Sequence, residues 1–174
     1  MPWTSSRRSG AIEGSFRRPR LKDPSPLARD DDGKIHRFRV RVYWEDTDAG
    51  GIVYHSNYLK FAERARTEMV RTLGIDQARL AAGGRGEAFA VAHAAIDFLA
   101  PARLDDALEV ESVLRRVGGA SMEVAQIIKR LDDGADLVRL NVRLGYVALG
   151  NGRPARMPAD IRHALVDYVS ERRD

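Results

Sequence analysis

An α+β domain, with long antiparallel strands curled around one central helix, is the architecture this sequence predicts. Two observations carry the prediction. Between Asn57 and Leu73 the apolar residues fall at helical spacing, and Tyr58, Ala62, Ala65, Met69 and Leu73 form a single stripe. After it come four β-like runs, Phe89–Leu99, Ala107–Val117, Met122–Leu131 and Leu137–Leu149. The last three are separated only by Gly118-Gly119 and Asp132-Asp133-Gly134, and turns that short join antiparallel neighbours. Strands of roughly 10 to 12 residues are about twice the usual length, as a sheet needs if it is to curl.

The totals narrow the class further. The chain has 174 residues, 44% hydrophobic and 31% charged, enough for one well-buried domain and short for two. It has no cysteine, which removes disulfides, thiolate metal sites and a cysteine nucleophile. No apolar run approaches the roughly 18 residues of a membrane span, so a soluble protein without a membrane span is expected. The net charge of +4 is uneven. Residues 1–34 hold eight Lys and Arg against five acids, and the rest hold 21 against 20. The body is nearly neutral and has no basic stripe of the kind a phosphate backbone demands, so no nucleic-acid partner is expected.

Residues 1–34 read as a disordered basic extension, rich in Arg, Ser, Pro, Gly and Asp and without period. They contain no apolar core of a secretory signal, and Glu13, Asp23 and Asp30–Asp32 oppose a transit-peptide reading. Residues 35–170 form the predicted domain. Ile35, Phe38, Val40 and Val42 alternate with basic residues, giving a first strand, Ile35–Tyr43, with one wet face. Ser56 is placed to cap the helix and Gly74 to close it. Lys60, Glu63, Arg64, Arg66, Glu68 and Arg71 lie off the apolar stripe, with Arg64 and Glu68 as an i,i+4 pair. Gln77–Glu87 reads as a loop, Pro101 ends the first long run, and Met157-Pro158 introduces a closing helix, Ala159–Val169. His36, His93 and His163 stand alone, and each reads as a satisfied structural or surface histidine.

The connection between strand and helix is the chemical centre. Glu45-Asp46-Thr47-Asp48-Ala49-Gly50-Gly51 packs three acids and two glycines ahead of His55. Such a polar turn held between rigid elements is where function concentrates. Asp46-x-Asp48 with Gly51 imitates the start of a calcium loop, but Asn57 stands where that loop needs a bidentate glutamate, so no metal is expected. A carboxylate beside the free N–H groups and positive dipole of a helix N terminus has another use. It can attack, or activate water against, a carbonyl whose leaving group departs readily. A thiol, with a pKa near 8.5, is such a leaving group.

The stretch Arg41-Val42-Tyr43-Trp44-Glu45-Asp46-Thr47-Asp48-Ala49-Gly50-Gly51-Ile52-Val53-Tyr54-His55 resembles the signature of the 4-hydroxybenzoyl-CoA thioesterase family. It is most similar to that family's tol–pal system-associated acyl-CoA thioesterase branch. Phe61–Met69, Ala100–Asp106 and the Gly118–Met122 hairpin match that branch too, so the resemblance covers about Arg37 to Asp167. Trp44 stands where the branch often has tyrosine.

The resemblance implies a hotdog fold and an acyl-CoA thioesterase that uses no cofactor. Asp48 would be its nucleophile or general base and His55 its oxyanion-stabilising partner, with Gly51, Tyr54 and Asn57 against the substrate. It also implies a cytoplasmic homodimer or homotetramer, with acyl carrier protein or an envelope complex as possible partners. A hydratase on the same fold is the enzymatic rival, disfavoured by the thioesterase-like placing of the acids. A non-catalytic hotdog module that holds acyl carriers or envelope-complex proteins is the rival from another class. Arg115, Arg116, Lys129 and Arg130 are possible phosphate binders, but guarding strand ends against aggregation is the better reading of them.

Overall fold

The computed structural model describes residues 35–83 and 86–170; the extension expected over residues 1–34 lies outside them. The alternating first segment forms β1, Ile35–Arg41, whose residues switch strictly between exposed and half-buried. A 3-10 turn at Trp44–Asp46 leads into the acidic connection, and α1 spans His55–Thr72. A short α2, Gln77–Ala82, follows. Then come β2 Glu87–Phe98, β3 Ala107–Val117, β4 Ser121–Arg130, β5 Asp136–Ala148, the two-residue β6 Arg153–Pro154 and α3 Ala159–Ser170.

The strands form one antiparallel sheet in the order β1-β3-β4-β5-β2. β6 pairs with Val147 and Ala148 of β5, just past the end of β4, whose Ser121 pairs with Gly145. The sheet curls around α1. The stripe read from sequence is the buried face of α1: Tyr58, Ala62, Ala65 and Met69 are buried, joined by Phe61 and Val70. They pack with Leu108, Val110 and Leu114 of β3, Met122, Val124 and Ile128 of β4, and Leu140 and Val142 of β5. Ala62 and Ala65, both at 0% exposure, carry only a methyl group, which lets the helix lie close to the strands.

Several local expectations are corrected. α1 begins at His55, with Tyr54 rather than Ser56 at the cap position and no side-chain cap. The Tyr54 carbonyl already accepts the Asn57 N–H at 2.8 Å, so the chain has turned before Ser56. Gly74, at φ +78°, takes the left-handed conformation that ends the helix. The loop expected over Gln77–Glu87 contains α2, because Asp76 accepts the Arg79 N–H at 3.0 Å and caps a run of good helix formers. Glu68 pairs with Arg71.

Arg66 departs most from its expected place off the stripe: it is buried. Its Nη1 donates to Gln126 Oε1 at 2.7 Å, and Gln126 Nε2 donates to the Ala62 carbonyl at 3.0 Å and to Ser112 Oγ at 2.8 Å. Desolvation lowers the Arg66 pKa, partly offset by Glu63. His36 is also other than expected, since its Nδ1 is buried without a hydrogen-bond partner. Burial holds its pKa below the ordinary value, against the opposing pull of Glu68.

On the outer face of the sheet, Glu111 is bridged by Arg37 at 3.2 Å and Lys129 at 2.9 Å. By strand alternation, Val113, Ala125 and Ile127 share this face, and they are buried there. At the β4–β5 turn, Arg130 reaches Asp133 through two hydrogen bonds of 3.0 and 2.8 Å. Lys129 and Arg130 are therefore tied to carboxylates.

Candidate active site

Two aspartates two residues apart are put to different uses. Asp46 is buried, its Oδ2 accepts the Tyr43 N–H at 2.9 Å, and its carbonyl accepts from Tyr54 N–H at 2.8 Å and from Asn57 Nδ2 at 2.9 Å. These bonds tie the connection to the first turn of α1. Beyond Asp46 the chain makes a miniature hairpin. Thr47 bridges Val53, the Asp48 N–H donates to the Ile52 carbonyl at 3.0 Å, and Gly51 turns the corner at φ +70°. That left-handed value costs glycine little and most other residues more.

Asp48 projects from this turn. Its Oδ1 accepts the Gly50 N–H at 2.8 Å, and no hydrogen bond to Oδ2 is formed among the described residues. A Cβ on Gly50 would lie 3.0 Å from that same Oδ1, a tight contact that the carboxylate would relieve by a small shift. His55, at the first position of α1, lies against Tyr54 with ring centroids 4.4 Å apart and planes tilted by 56°. The first turn of a helix leaves N–H groups without intrahelical acceptors, and α1 has no side-chain cap to take one.

Asp48 and His55 meet at a cleft of about 390 Å3. Ile52 and Val53 line it from the hairpin, Tyr58 from α1, and Phe98 to Pro101 from the end of β2. The segment after β2 is bound to both the loop and the helix. The Ala102 carbonyl accepts the Val53 N–H at 2.9 Å, and the Ala102 N–H donates to Tyr58 Oη at 2.8 Å. Burial raises the Tyr58 pKa, partly offset by that hydrogen bond. The arrangement offers a carboxylate, a helix N terminus and an apolar slot in one place. A larger cleft, of about 680 Å3, lies between the C-terminal end of α1, α2 and α3 and includes neither Asp48 nor His55.

Of the five residues singled out from sequence, the structure brings Asp48 and His55 to the cleft wall; Gly51, Tyr54 and Asn57 do not line it. Gly51 shapes the turn, Tyr54 backs His55, and Asn57 is buried in the bond to Asp46. Tyr58 and Phe98 were not singled out as site residues. Tyr58 was legible as part of the helical stripe, and Phe98 closes the apolar run before Pro101, but neither pattern distinguishes a pocket wall from ordinary core. Arg115 borders a separate groove of about 430 Å3 with His93, Asn141 and Arg143.

One helix wrapped by a curled antiparallel sheet is the hotdog architecture. Residues 42–165 match the profile of the thioesterase-like superfamily, and the chain belongs to that superfamily. Acyl-CoA thioesterase YbgC of Haemophilus influenzae is 43% identical over 128 residues, covering 74% of this chain and 92% of that protein. Acyl-CoA thioester hydrolase YbgC of Escherichia coli is 47% identical over 94 residues, covering 54% of this chain and 69% of that protein. The crystal structure of a probable thioesterase from Bartonella henselae matches with a TM-score of 0.68 and 36% identity, over 72% of this chain and 100% of that one.

Proposed function

We propose that this protein hydrolyses acyl-CoA thioesters to the free acid and the CoA thiol, and that the reaction takes place in the cleft beside Asp48. The relatives from Haemophilus influenzae and Escherichia coli, named for this activity, support the reading. The observation that carries it is Asp48 itself, with one carboxylate oxygen fixed by Gly50 N–H at 2.8 Å and its side chain on the wall of an apolar cleft. The substrate carbonyl lies between Asp48 and the start of α1. Asp48 either attacks the carbonyl, forming a mixed anhydride that water then cleaves, or takes a proton from the attacking water. In both routes, negative charge on the carbonyl oxygen is stabilised by the His55 backbone N–H and the helix dipole. The CoA thiolate then leaves with little help from an acid.

Asp48 and His55 are exposed in the single chain, and a carboxylate in open water has little advantage over water itself. A second copy completes the site in this reading. The bare edge of β2, with Val91 at 55% and Phe98 at 52% exposure, supports such pairing. A homodimer, alone or doubled, is the proposed form. The tol–pal-associated branch of the 4-hydroxybenzoyl-CoA thioesterase family is the proposed place within the superfamily, on the strength of the Tyr43–His55 motif and the YbgC relatives. Acyl carrier protein and envelope-complex proteins are proposed further partners, and the cytoplasm the proposed location. No helix among the described residues is long and apolar enough to cross a membrane.

The deciding experiment measures free-thiol release from acyl-CoA esters and benzoyl-CoA by wild type and Asp48→Asn. The substitution keeps the shape while removing the base and nucleophile. Turnover is expected to fall by about 100-fold to 10,000-fold. Equal, slow rates for both proteins on every thioester would leave Asp48 a turn-forming residue and favour the non-catalytic module.

A further inference from the structure

We infer that Phe98 sets the size of the acyl group the cleft accepts, working against Tyr58 as a fixed wall; the inference rests on the thioesterase reading and names a selecting residue within that site. The two rings touch edge-on, with centroids 6.0 Å apart, yet they differ in freedom. Tyr58 is 3% exposed, packs edge-on against Phe61 at 6.2 Å, and has its hydroxyl held by Ala102 N–H. It cannot yield without disturbing the core. Phe98 is the last residue of β2, on the edge of the sheet, 52% exposed in the single chain and outside the buried core that fixes Tyr58. Its backbone is paired with the fully buried Val138, so adjustment at this position falls to the side-chain torsions.

The same ring lies edge-on to His55, with centroids 6.4 Å apart. Phe98 therefore stands between the residue at the helix start and the closed wall of the cleft. An acyl chain whose carbonyl is held beside Asp48 and His55 meets the Phe98 ring before it reaches Tyr58. At about 390 Å3 the cleft is near the small end of ligand pockets, where the volume of one ring decides what enters.

The test is kcat/KM for a series of saturated acyl-CoA esters of increasing length, with wild type, Phe98→Ala, Phe98→Leu and Phe98→Trp. The ratio of long-chain to short-chain kcat/KM is expected to rise by about tenfold or more in Phe98→Ala. It should rise less in Phe98→Leu and fall below the wild-type ratio in Phe98→Trp. Phe98 also lies on the edge proposed to receive the second copy, so light scattering accompanies each variant. The leucine and tryptophan variants carry the comparison if the alanine variant proves poorly folded by circular dichroism or loses the wild-type assembly. Ratios that stay at the wild-type value, or that move the same way in the leucine and tryptophan variants, overturn the assignment of Phe98 and leave the thioesterase reading intact. A wild-type protein that releases no thiol from any ester overturns that reading, and this assignment with it.

Discussion

At Gly50 the absence of a methyl group leaves the proposed catalytic carboxylate free to sit as it does without a tight contact. Its φ lies outside the left-handed region, so backbone freedom is not the reason for glycine here. The reason is steric, because a Cβ would sit 3.0 Å from Asp48 Oδ1, the oxygen that Gly50 N–H already holds. Gly50→Ala is therefore expected to shift the carboxylate by a small amount relative to the cleft. Steady-state kinetics should show kcat down by about tenfold or more with KM close to wild type, as when an interaction specific to the transition state is lost. The melting temperature should move little, since the turn is exposed. An alanine variant with wild-type kcat would show that the Gly50 contact does not position Asp48. The turn-binding place of Asp46 is the ordinary habit of aspartates in turns, and only the motif match set Asp48 apart from it. The burial of Asn57 was not readable, because a polar residue in a first helical turn gives no sign of which way it faces.

At the scale of elements, α1 is held to the sheet by its small and apolar stripe and also by the Arg66–Gln126–Ser112 chain of hydrogen bonds. Gln126 is 0% exposed. Replacing it with leucine strands the Arg66 guanidinium and Ser112 Oγ in the interior, while the Ala62 carbonyl keeps only its helical hydrogen bond. The expected cost in urea denaturation is about 2–4 kcal/mol. The double variant Arg66→Met, Gln126→Leu should recover much of that, because apolar residues of similar size leave no buried charge unpaired. If the double variant is as unstable as the single one, the polar chain stabilises the helix in some other way. The helical stripe and the two tight strand turns were legible because period and turn chemistry are local. Arg66 was not legible, since an arginine off the stripe is normally solvated and its buried acceptor lies sixty residues away. α2 was missed because six residues are too few to display a helical period.

At the scale of the whole molecule, the sheet is guarded unequally. Arg37, Arg39 and Arg41 line β1 and are exposed, and charged edges resist adding strands. The other edge, β2, presents Val91, Phe98 and the exposed Ala90, Ala92, Ala94 and Ala95, interrupted by the polar His93 and Asp97. The proposed second copy is therefore placed on β2. Val91→Lys should convert the dimer to monomer by light scattering and reduce thiol release with it; a variant that stays dimeric with full activity would move the interface elsewhere. Sequence could not reveal this asymmetry. The run Phe89–Leu99 reads as a strand from its composition, but whether a strand is central or marginal depends on pairings made with Val138 to Ala148, about fifty residues on.

Ala102 shows what kind of tool the site is. Its oxygen fastens the hairpin that bears Asp48 and its N–H fastens the Tyr58 ring on the cleft wall, so one residue, through two successive peptide groups, ties the turn to the backstop. A vice has one jaw bolted to the bench and one that travels. In the proposed site the bolted jaw keeps the Asp48 turn at a constant distance from the Tyr58 ring, and the jaw proposed to travel is the side chain of Phe98. New acyl specificities should therefore arise by exchange at the travelling jaw, while changes around residue 102 alter rate and specificity together.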